Sequence, residues 1–266
     1  MPDPQKVDGR LGTGSNLSWP AIPGLTFVPN PNAVDSATVS TGGGGGSTPA
    51  PSFDPGSLGN LVGWWQSYAG IASSPVATWV DQSGAGNDLA AAGAARPTLL
   101  VNQLNGRAAV VFDGVANFMQ VTIGGLVQPA TLYLLVKQTA WVSNRRITDG
   151  ITNDSFTLHQ KTTTPNLAFY ANNALLQSTD LAVNTWGVVT IVANAASSLL
   201  QINNNAAVTG NPGNNAIGGF TLGALSDGSL PGNIAVVEAI LRSQADDADV
   251  RQAHIDYLAG IGGLSI

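Results

Sequence analysis

The sequence contains no cysteine and few charged residues. Without cysteine, the chain of 266 residues has neither a disulfide framework nor a thiolate metal site. Charged residues make up 10% of the chain, against roughly a quarter in an average protein, and the formal net charge is -6. No basic run is present, so we expect no nucleic-acid partner. No apolar run approaches the ~18 residues of a membrane-spanning helix, so we expect no membrane insertion.

Side chains that commonly carry out catalysis are also scarce. Glu238 is the single glutamate, and its strand offers no second carboxylate to form a glycosidase pair. The two histidines, His159 and His254, have no nucleophile motif such as G-x-S-x-G beside them. We interpret both histidines as structural or surface residues, and we expect a protein without catalytic activity.

Composition divides the chain into two parts. Residues 1–56 are rich in Pro, Gly, Ser and Asn, and include a run of five glycines at Gly42–Gly46. Such a segment cannot bury enough apolar surface to fold alone. It is either a linker or a docking arm that lies on a neighbouring subunit, with Gly42–Gly46 as its hinge. The docking hypothesis depends on the apolar side chains of the arm, which are Trp19, Ile22, Leu25, Phe27 and Val28.

Residues 57–266 have the pattern of one all-β domain. Candidate strands recur at short intervals with Asn- and Gly-rich turns between them, which is typical of an antiparallel sandwich. The predicted strands are Leu61–Gln66, Val76–Asp81, Arg107–Phe112, Phe118–Ile123, Thr131–Gln138, Ser155–Gln160, Asn166–Ala171, Trp186–Ala193, Ser198–Asn203, Gly219–Gly223 and Asn233–Arg242. A helix is predicted at the C-terminus, because Ser243 to Asp246 resemble a capping box and Val250, Ala253, Tyr257 and Leu258 share one helical face. Glycines after Leu258 are expected to end this helix.

Several motifs occur together in the first part of this domain. The chain contains WVDQSGAGNDL at Trp79–Leu89, RP at Arg96–Pro97 and LNGRAAVVFDG at Leu104–Gly114. This order resembles concanavalin A-like lectin/glucanase domains, also called laminin G-like jelly rolls. The version it resembles is common in tailed-phage virion proteins and bacterial surface proteins. The resemblance implies an antiparallel jelly-roll β-sandwich with a short C-terminal helix and an extended N-terminal arm.

Calcium is the one cofactor that the sequence suggests. Several laminin G-like relatives bind this ion, and hard oxygen ligands on loops would suit it. The candidate ligands in the motif region are Asp81, Asn87, Asp88 and Asp113. The alternative is turn chemistry, in which these side chains accept hydrogen bonds from backbone N–H groups.

Aromatic residues are the candidate contacts for a glycan. Alternation along the strands places Trp64, Trp79 and Trp186 in the core, and it points Trp65 to the opposite face from Trp64. Trp141 lies in a predicted loop. The residues that we assign to glycan or partner contact are Trp65, Trp141, Arg145 and Arg146.

These observations lead to two functional hypotheses. The first is a non-enzymatic virion structural protein of a tailed phage, either a capsid decoration or a tail or fibre component. It would anchor through its N-terminal arm to other virion proteins and to its own copies in a symmetric homo-oligomer, and would display a lectin-like sandwich toward host-surface glycans. The N-terminus lacks a signal-peptide pattern, which favours this location in the virion. The alternative is a secreted bacterial carbohydrate-binding or adhesion module at the cell surface.

Overall fold

A computed structural model of the chain describes residues 53–266. The five residues predicted to form a docking surface, Trp19 to Val28, lie outside the described residues. The docking prediction therefore stays a prediction. Phe53, the first described residue, was assigned to the arm, and its ring packs edge-on against Tyr257 and His254 of the C-terminal helix.

Residues 53–266 form mainly short strands. In chain order they are β1 (Leu61–Gln66), β2 (Thr78–Trp79), β3 (Leu89–Ala90), β4 (Thr98–Leu104), β5 (Arg107–Asp113), β6 (Met119–Thr122), β7 (Ala130–Gln138), β8 (Arg146–Asp149), β9 (Thr157–Gln160), β10 (Leu167–Tyr170), β11 (Leu176–Ser178), β12 (Trp186–Ala193), β13 (Ser198–Ile202), β14 (Val208–Gly210), β15 (Gly219–Leu222) and β16 (Asn233–Arg242). The C-terminal helix is α1 (Ala248–Gly262).

The strands form two antiparallel sheets. Sheet A has the order β14-β13-β12-β7-β16-β5-β4, and β1 pairs with the second half of β16. Sheet B has the order β11-β10-β9-β8-β15-β6-β3-β2. In both sheets, hairpin-connected strands are joined through pairs that are distant in sequence, such as β7 with β16 and β8 with β15, as expected for a jelly roll rather than a simple meander. The predicted all-β sandwich with a short C-terminal helix is confirmed.

The main hydrophobic core lies between the two sheets. It takes alternate residues from sheet A, such as Leu132 and Leu134, and from sheet B, such as Leu158, Phe169 and Phe220. All five side chains are fully buried. Burying apolar area at about 25 cal/mol per Å² makes this layer the main source of stability. The alternation also leaves every second residue of β8, β9 and β10 on the outer face of sheet B.

Helix α1 covers the other face of sheet A and forms a second apolar cluster. Ile255, Leu258 and Ile261 pack on Tyr133 and Ile240. The helix begins four residues later than the capping box Ser243 to Asp246 indicates, because Asp247 rather than Ser243 is its N-cap and accepts a hydrogen bond from the Val250 N–H at 3.0 Å. It ends at Gly263, whose φ of 62° forms a left-handed C-cap.

Glu238 lies between β1, β16 and α1 rather than on an open surface. Its carboxylate accepts hydrogen bonds from Trp64 Nε1 and Tyr68 Oη, each at 2.5 Å, and from Tyr257 Oη at 3.0 Å. Burial raises the pKa of Glu238, and the three donors act in the opposite direction. The carboxyl group therefore links two strands to the helix.

Within residues 53–266, no helix is both long and apolar enough to span a bilayer.

Candidate functional site

A polar pocket opens on the outer face of sheet B, where β8, β9 and β10 run side by side. Its volume is about 370 Å³, within the usual range for small-ligand sites. We call it the basic pocket. It is lined by Asn144, Arg146, Asp154, His159, Lys161, Tyr170, Asn173 and Leu175.

Strand register brings the central residues of this pocket together. Arg146 of β8 is paired with His159 of β9, which in turn is paired with Ala168 of β10. Lys161 and Tyr170 each lie two residues beyond a member of this row, and a spacing of two keeps a side chain on the same face. Leu158, which precedes His159, and Phe169, which precedes Tyr170, point into the core. Apolar residues at alternate positions thus orient the polar ones outward.

The Arg146 side chain is held in place by neighbouring loop residues. Its Nη1 donates to the Asn144 carbonyl at 2.7 Å, and its Nη2 donates to Asp154 Oδ1 at 3.3 Å. The Arg146 side chain is 13% exposed, whereas that of Asp154 is 39% exposed. An ion pair this open to water contributes little stability. Arg146 is therefore positioned beforehand without being fully neutralised.

His159 lies on the floor of the pocket as a neutral imidazole. Its burial, with Arg146 and Lys161 nearby, lowers the pKa of His159 to about 3. At neutral pH the ring therefore has one N–H donor and one acceptor nitrogen. Its Nδ1 has no hydrogen-bond partner among the described residues. The sequence interpretation of His159 as a structural histidine missed its place in the pocket.

The basic pocket can both donate and accept hydrogen bonds. Arg146 and Lys161 are cationic donors, and Asn144, Asn173 and Tyr170 add neutral polar groups. Asp154 is the carboxylate that lines it. Such a lining suits a ligand with many hydroxyl groups and an anionic substituent.

The described residues also form a pocket that adjoins the basic pocket and another at the β3–β6 end of sheet B. The asparagine pocket has a volume of about 290 Å³ and is lined by Ala171, Asn172, Asn173, Ala195, Asn211, Gly213, Asn214 and Asn215. The alanine pocket is larger, about 460 Å³, and lies at the β3–β6 end of sheet B. Its lining is Ala90, Ala91, Ala92, Ala95, Phe118, Gln120, Val121 and Thr122, and none of these is ionisable. We therefore place the candidate site at the basic pocket, where charged and polar groups converge.

The four residues predicted to contact a glycan or partner do not form one site in the structure. Arg146 lines the basic pocket, while Arg145 and Trp141 are partly exposed and are not among its lining residues. The prediction for Trp65 is wrong, because this side chain is fully buried between the sheets. It stacks on Phe220 with ring centroids 5.3 Å apart. Alternation correctly predicted that Trp64 and Trp65 lie on opposite faces of β1, but the face of Trp65 is the one that packs in the core between the sheets.

The candidate calcium ligands make hydrogen bonds within turns. Asp81 accepts from the backbone N–H groups of Trp64, Ser83 and Asn87, at 2.8 to 3.0 Å. Asp88 accepts from the Asp81 N–H at 2.8 Å.

Asp113 is also an acceptor for backbone N–H groups, whereas the Asn87 side chain is a donor. Asp113 accepts from three backbone N–H groups of the turn that follows it, and Asn87 donates to the Val62 carbonyl at 2.7 Å. Across residues 53–266, no group of three or more His, Asp or Glu side chains is arranged to hold a metal ion. The contacts of Asp81 with the Ser83 N–H and of Asp113 with the turn that follows it are those expected of turn chemistry, and calcium binding stays a prediction.

The sequence analysis missed most of the lining of the basic pocket. Lys161, Asp154, Tyr170 and Asn173 come from different strands and loops, and no local motif marks them. The spacing of His159 and Lys161, two residues apart at the end of a strand, was the available signal. That spacing points to a site only when the face of the sheet on which both residues lie is known.

Comparison with known proteins supports the fold through structure alone. No family model and no curated protein matches the chain. Among solved structures, Trypanosoma rangeli sialidase in complex with sialic acid aligns with a TM-score of 0.57 and 14% identity, covering 79% of this chain and 34% of the sialidase. A GH54 α-L-arabinofuranosidase soaked with a cyclic sulfate inhibitor aligns with a TM-score of 0.55 and 14% identity, covering 70% of this chain and 51% of that one. An arabinofuranosidase complexed with arabinofuranosyl-alpha-1,2-xylobiose gives a TM-score of 0.54, 14% identity and the same two coverages, 70% and 51%.

These neighbours correct one prediction. We expected a protein without catalytic activity, and this expectation is contradicted by neighbours that are sialidases and arabinofuranosidases. The chain spans about a third of the sialidase and half of the arabinofuranosidase. At 14% identity the likeness establishes the fold alone. The chain is thus a jelly-roll-like β-sandwich of the kind found within these carbohydrate-active proteins.

Proposed function

We propose that this protein recognises carbohydrate at the basic pocket on the outer face of sheet B. The observation that carries the proposal is the convergence of Arg146, His159, Lys161 and Tyr170 from neighbouring strands into one pocket of about 370 Å³. Sugar hydroxyls both donate and accept hydrogen bonds, and this lining offers both. The fold likeness to structures holding sialic acid or an arabinofuranosyl oligosaccharide also supports a carbohydrate ligand.

The pocket also has an aromatic group suited to a sugar ring. Tyr170 is the last residue of β10 and is partly exposed, with its strand neighbour Phe169 in the core. An aromatic ring offers a flat apolar face, and its hydroxyl offers a polar end. Pyranose and furanose rings also have an apolar C–H face, so Tyr170 can pack against one while the charged residues bind its substituents.

A glycan array probed with the full-length chain tests this proposal. We expect binding to a subset of glycans, confirmed by calorimetry with the free sugars. The same mixtures are analysed by mass spectrometry for cleaved glycan, because the fold neighbours are enzymes. If the protein binds no glycan at millimolar concentration and cleaves none, the proposed function is wrong.

Variants locate the binding to the pocket. Arg146→Gln and Tyr170→Ala should each weaken binding about tenfold or more, since each removes one hydrogen-bonding or packing group from the site. Arg145→Gln is the matched control, because Arg145 is adjacent in sequence but does not line the pocket. Each variant is checked for an unchanged melting temperature. Equal losses for Arg145 and Arg146 would place the site elsewhere.

We also propose that the chain is a structural component of a virion. This role is supported by the sequence resemblance of Trp79–Gly114. Density-gradient sedimentation of the native lysate tests this role. Co-migration with DNA-filled particles is expected, and a wholly soluble protein would contradict it.

A further inference from the structure

The basic pocket continues into a second polar pocket with a different character. Asn173 lines both the basic pocket and the asparagine pocket, so the two are adjacent. Its Nδ2 donates to the Asn211 carbonyl at 3.2 Å, which links the loop after β10 to the loop after β14. A ligand seated in the basic pocket can therefore extend over Asn173 into the second pocket.

The loop that forms the asparagine pocket is tied closely to sheet B. The Pro212 carbonyl accepts from the N–H groups of Ala171 and Asn173, both at 2.8 Å. Gly213 has a φ of 119°, and a Cβ at this position would lie 1.7 Å from the Ala171 carbonyl oxygen. Only glycine permits this approach. The two pockets are thus held side by side by backbone contacts, so we expect them to bind parts of one ligand.

The chemistry of the asparagine pocket suits neutral sugar residues. Its polar side chains are all amides, each with donor and acceptor atoms. They belong to Asn172, Asn173, Asn211, Asn214 and Asn215. None of its lining residues is ionisable. An uncharged sugar with several hydroxyls matches this surface, and a charged group would find no counter-charge there.

The basic pocket has an excess of positive charge, although the whole chain has a net charge of -6. Arg146 and Lys161 contribute two positive charges, Asp154 contributes one negative charge, and His159 is neutral at pH 7. Asp154 is already engaged by Arg146. Lys161 forms no ion pair with a carboxylate of residues 53–266. An anionic group on a ligand can therefore pair with Lys161 and the exposed side of Arg146.

We infer that the ligand is an acidic oligosaccharide bound in a defined orientation. Its carboxylated sugar occupies the basic pocket, and its neutral neighbour lies across Asn173 on the asparagine pocket. The inference rests on the proposed carbohydrate function and adds to it the charge, minimum length and direction of the ligand.

Two sets of probes test the inference with the full-length protein. One set is 3′-sialyllactose, free N-acetylneuraminic acid and lactose, and the other is glucuronosyl-xylose, free glucuronic acid and xylose. In at least one set, calorimetry should show the acidic oligosaccharide binding about tenfold more tightly than its free acid, and the neutral fragment binding most weakly. The affinity for the acidic probes should fall as salt is raised, because the contact is electrostatic.

Variants separate the two pockets. Asn214→Ala/Asn215→Ala should lower the affinity for the oligosaccharide and leave that for the free acid unchanged, whereas Lys161→Gln should lower both. Asn205→Ala, in the exposed turn after β13, and Lys137→Gln, which lies over Trp186 on sheet A, are the matched controls.

The two proposals fail in different ways. If the glycan array shows only neutral ligands, or if the free acid binds as tightly as the oligosaccharide and the Asn214/Asn215 variant has no effect, the inference is wrong and the carbohydrate function stands. If no glycan binds at all, the carbohydrate function itself is wrong.

Discussion

Lowering the pH should destabilise this protein through His254 of helix α1. The imidazole is fully buried and stacks on Tyr133 with centroids 4.2 Å apart, and Phe53 packs against its edge at 4.8 Å. Its Nδ1 lies 2.8 Å from the Val250 carbonyl, so the proton belongs on Nδ1. Nε2 has no partner among the described residues, and a second proton there would be buried without an acceptor.

The size of the effect follows from the pKa. Burial lowers the pKa of His254 from 6.5 to about 4, with Asp246 acting against this change and Arg242 reinforcing it. Between these two pH values the unfolded chain binds the proton and the folded one does not. The stability that neutral His254 confers is therefore complete above pH 6.5 and is lost as the pH falls toward 4. At about 1.4 kcal/mol per unit, the loss approaches about 3 kcal/mol.

Urea unfolding at a series of pH values measures this loss. His254→Phe retains a flat ring between Tyr133 and Phe53 but cannot titrate. The difference in free energy of unfolding between wild type and variant should change by about 3 kcal/mol between pH 7.5 and pH 4. Taking the difference removes the contributions of other groups, notably His159, Glu238 and Asp149, whose pKa values are also shifted. Parallel curves for the two proteins would refute the reasoning.

Three further predictions concern other elements. Burial raises the pKa of Glu238, so the wild type should lose stability relative to Glu238→Gln as the pH rises above 4.5, which is the opposite direction to the effect of His254. Urea unfolding at a series of pH values measures this difference. Parallel curves for the two proteins would argue against a raised pKa. Asp247→Ala removes the N-cap of α1 and should cost about 1 kcal/mol in urea unfolding, whereas Asp249→Ala, which makes no cap contact, should cost less; equal costs would exclude the cap. Because Asp81 and Asp113 already accept backbone N–H groups, we expect the same Tm in EDTA and in excess calcium; a rise in Tm with calcium would contradict this expectation and support a calcium site.

Local patterns predicted the regular elements well. β12 at Trp186–Ala193 and β16 at Asn233–Arg242 were predicted at the bounds the structure has, because long apolar runs with β-branched residues are strong signals. Four strands of two to four residues, β3, β8, β11 and β14, were not predicted, and neither was the seven-residue β4. The four short strands gain their hydrogen bonds from neighbours in the sheet and have too few residues for a pattern of their own. β4 is an edge strand with no buried residue, so it lacks the apolar alternation that marks a strand.

The start of helix α1 shows how a tertiary contact overrides a local signal. Ser243 to Asp246 look like a capping box, yet Asp246 is used elsewhere, accepting from Tyr133 Oη at 2.7 Å and pairing with Arg242 at 2.8 Å. Asp247 becomes the cap instead. The sequence could not indicate this, because Tyr133 lies in a strand more than a hundred residues away.

The sequence by itself determined the fold class and the existence of the C-terminal helix. These depend on periodicity and on side chains that bond to their own neighbours, and such information is local. The tertiary structure alone decided that Trp65 is core and that Arg146, His159 and Tyr170 share a pocket. In a sandwich with a helix on one sheet, alternation separates the two faces of a strand but does not say which face is covered. Only the register between distant strands settles that, and with it the position of the candidate site.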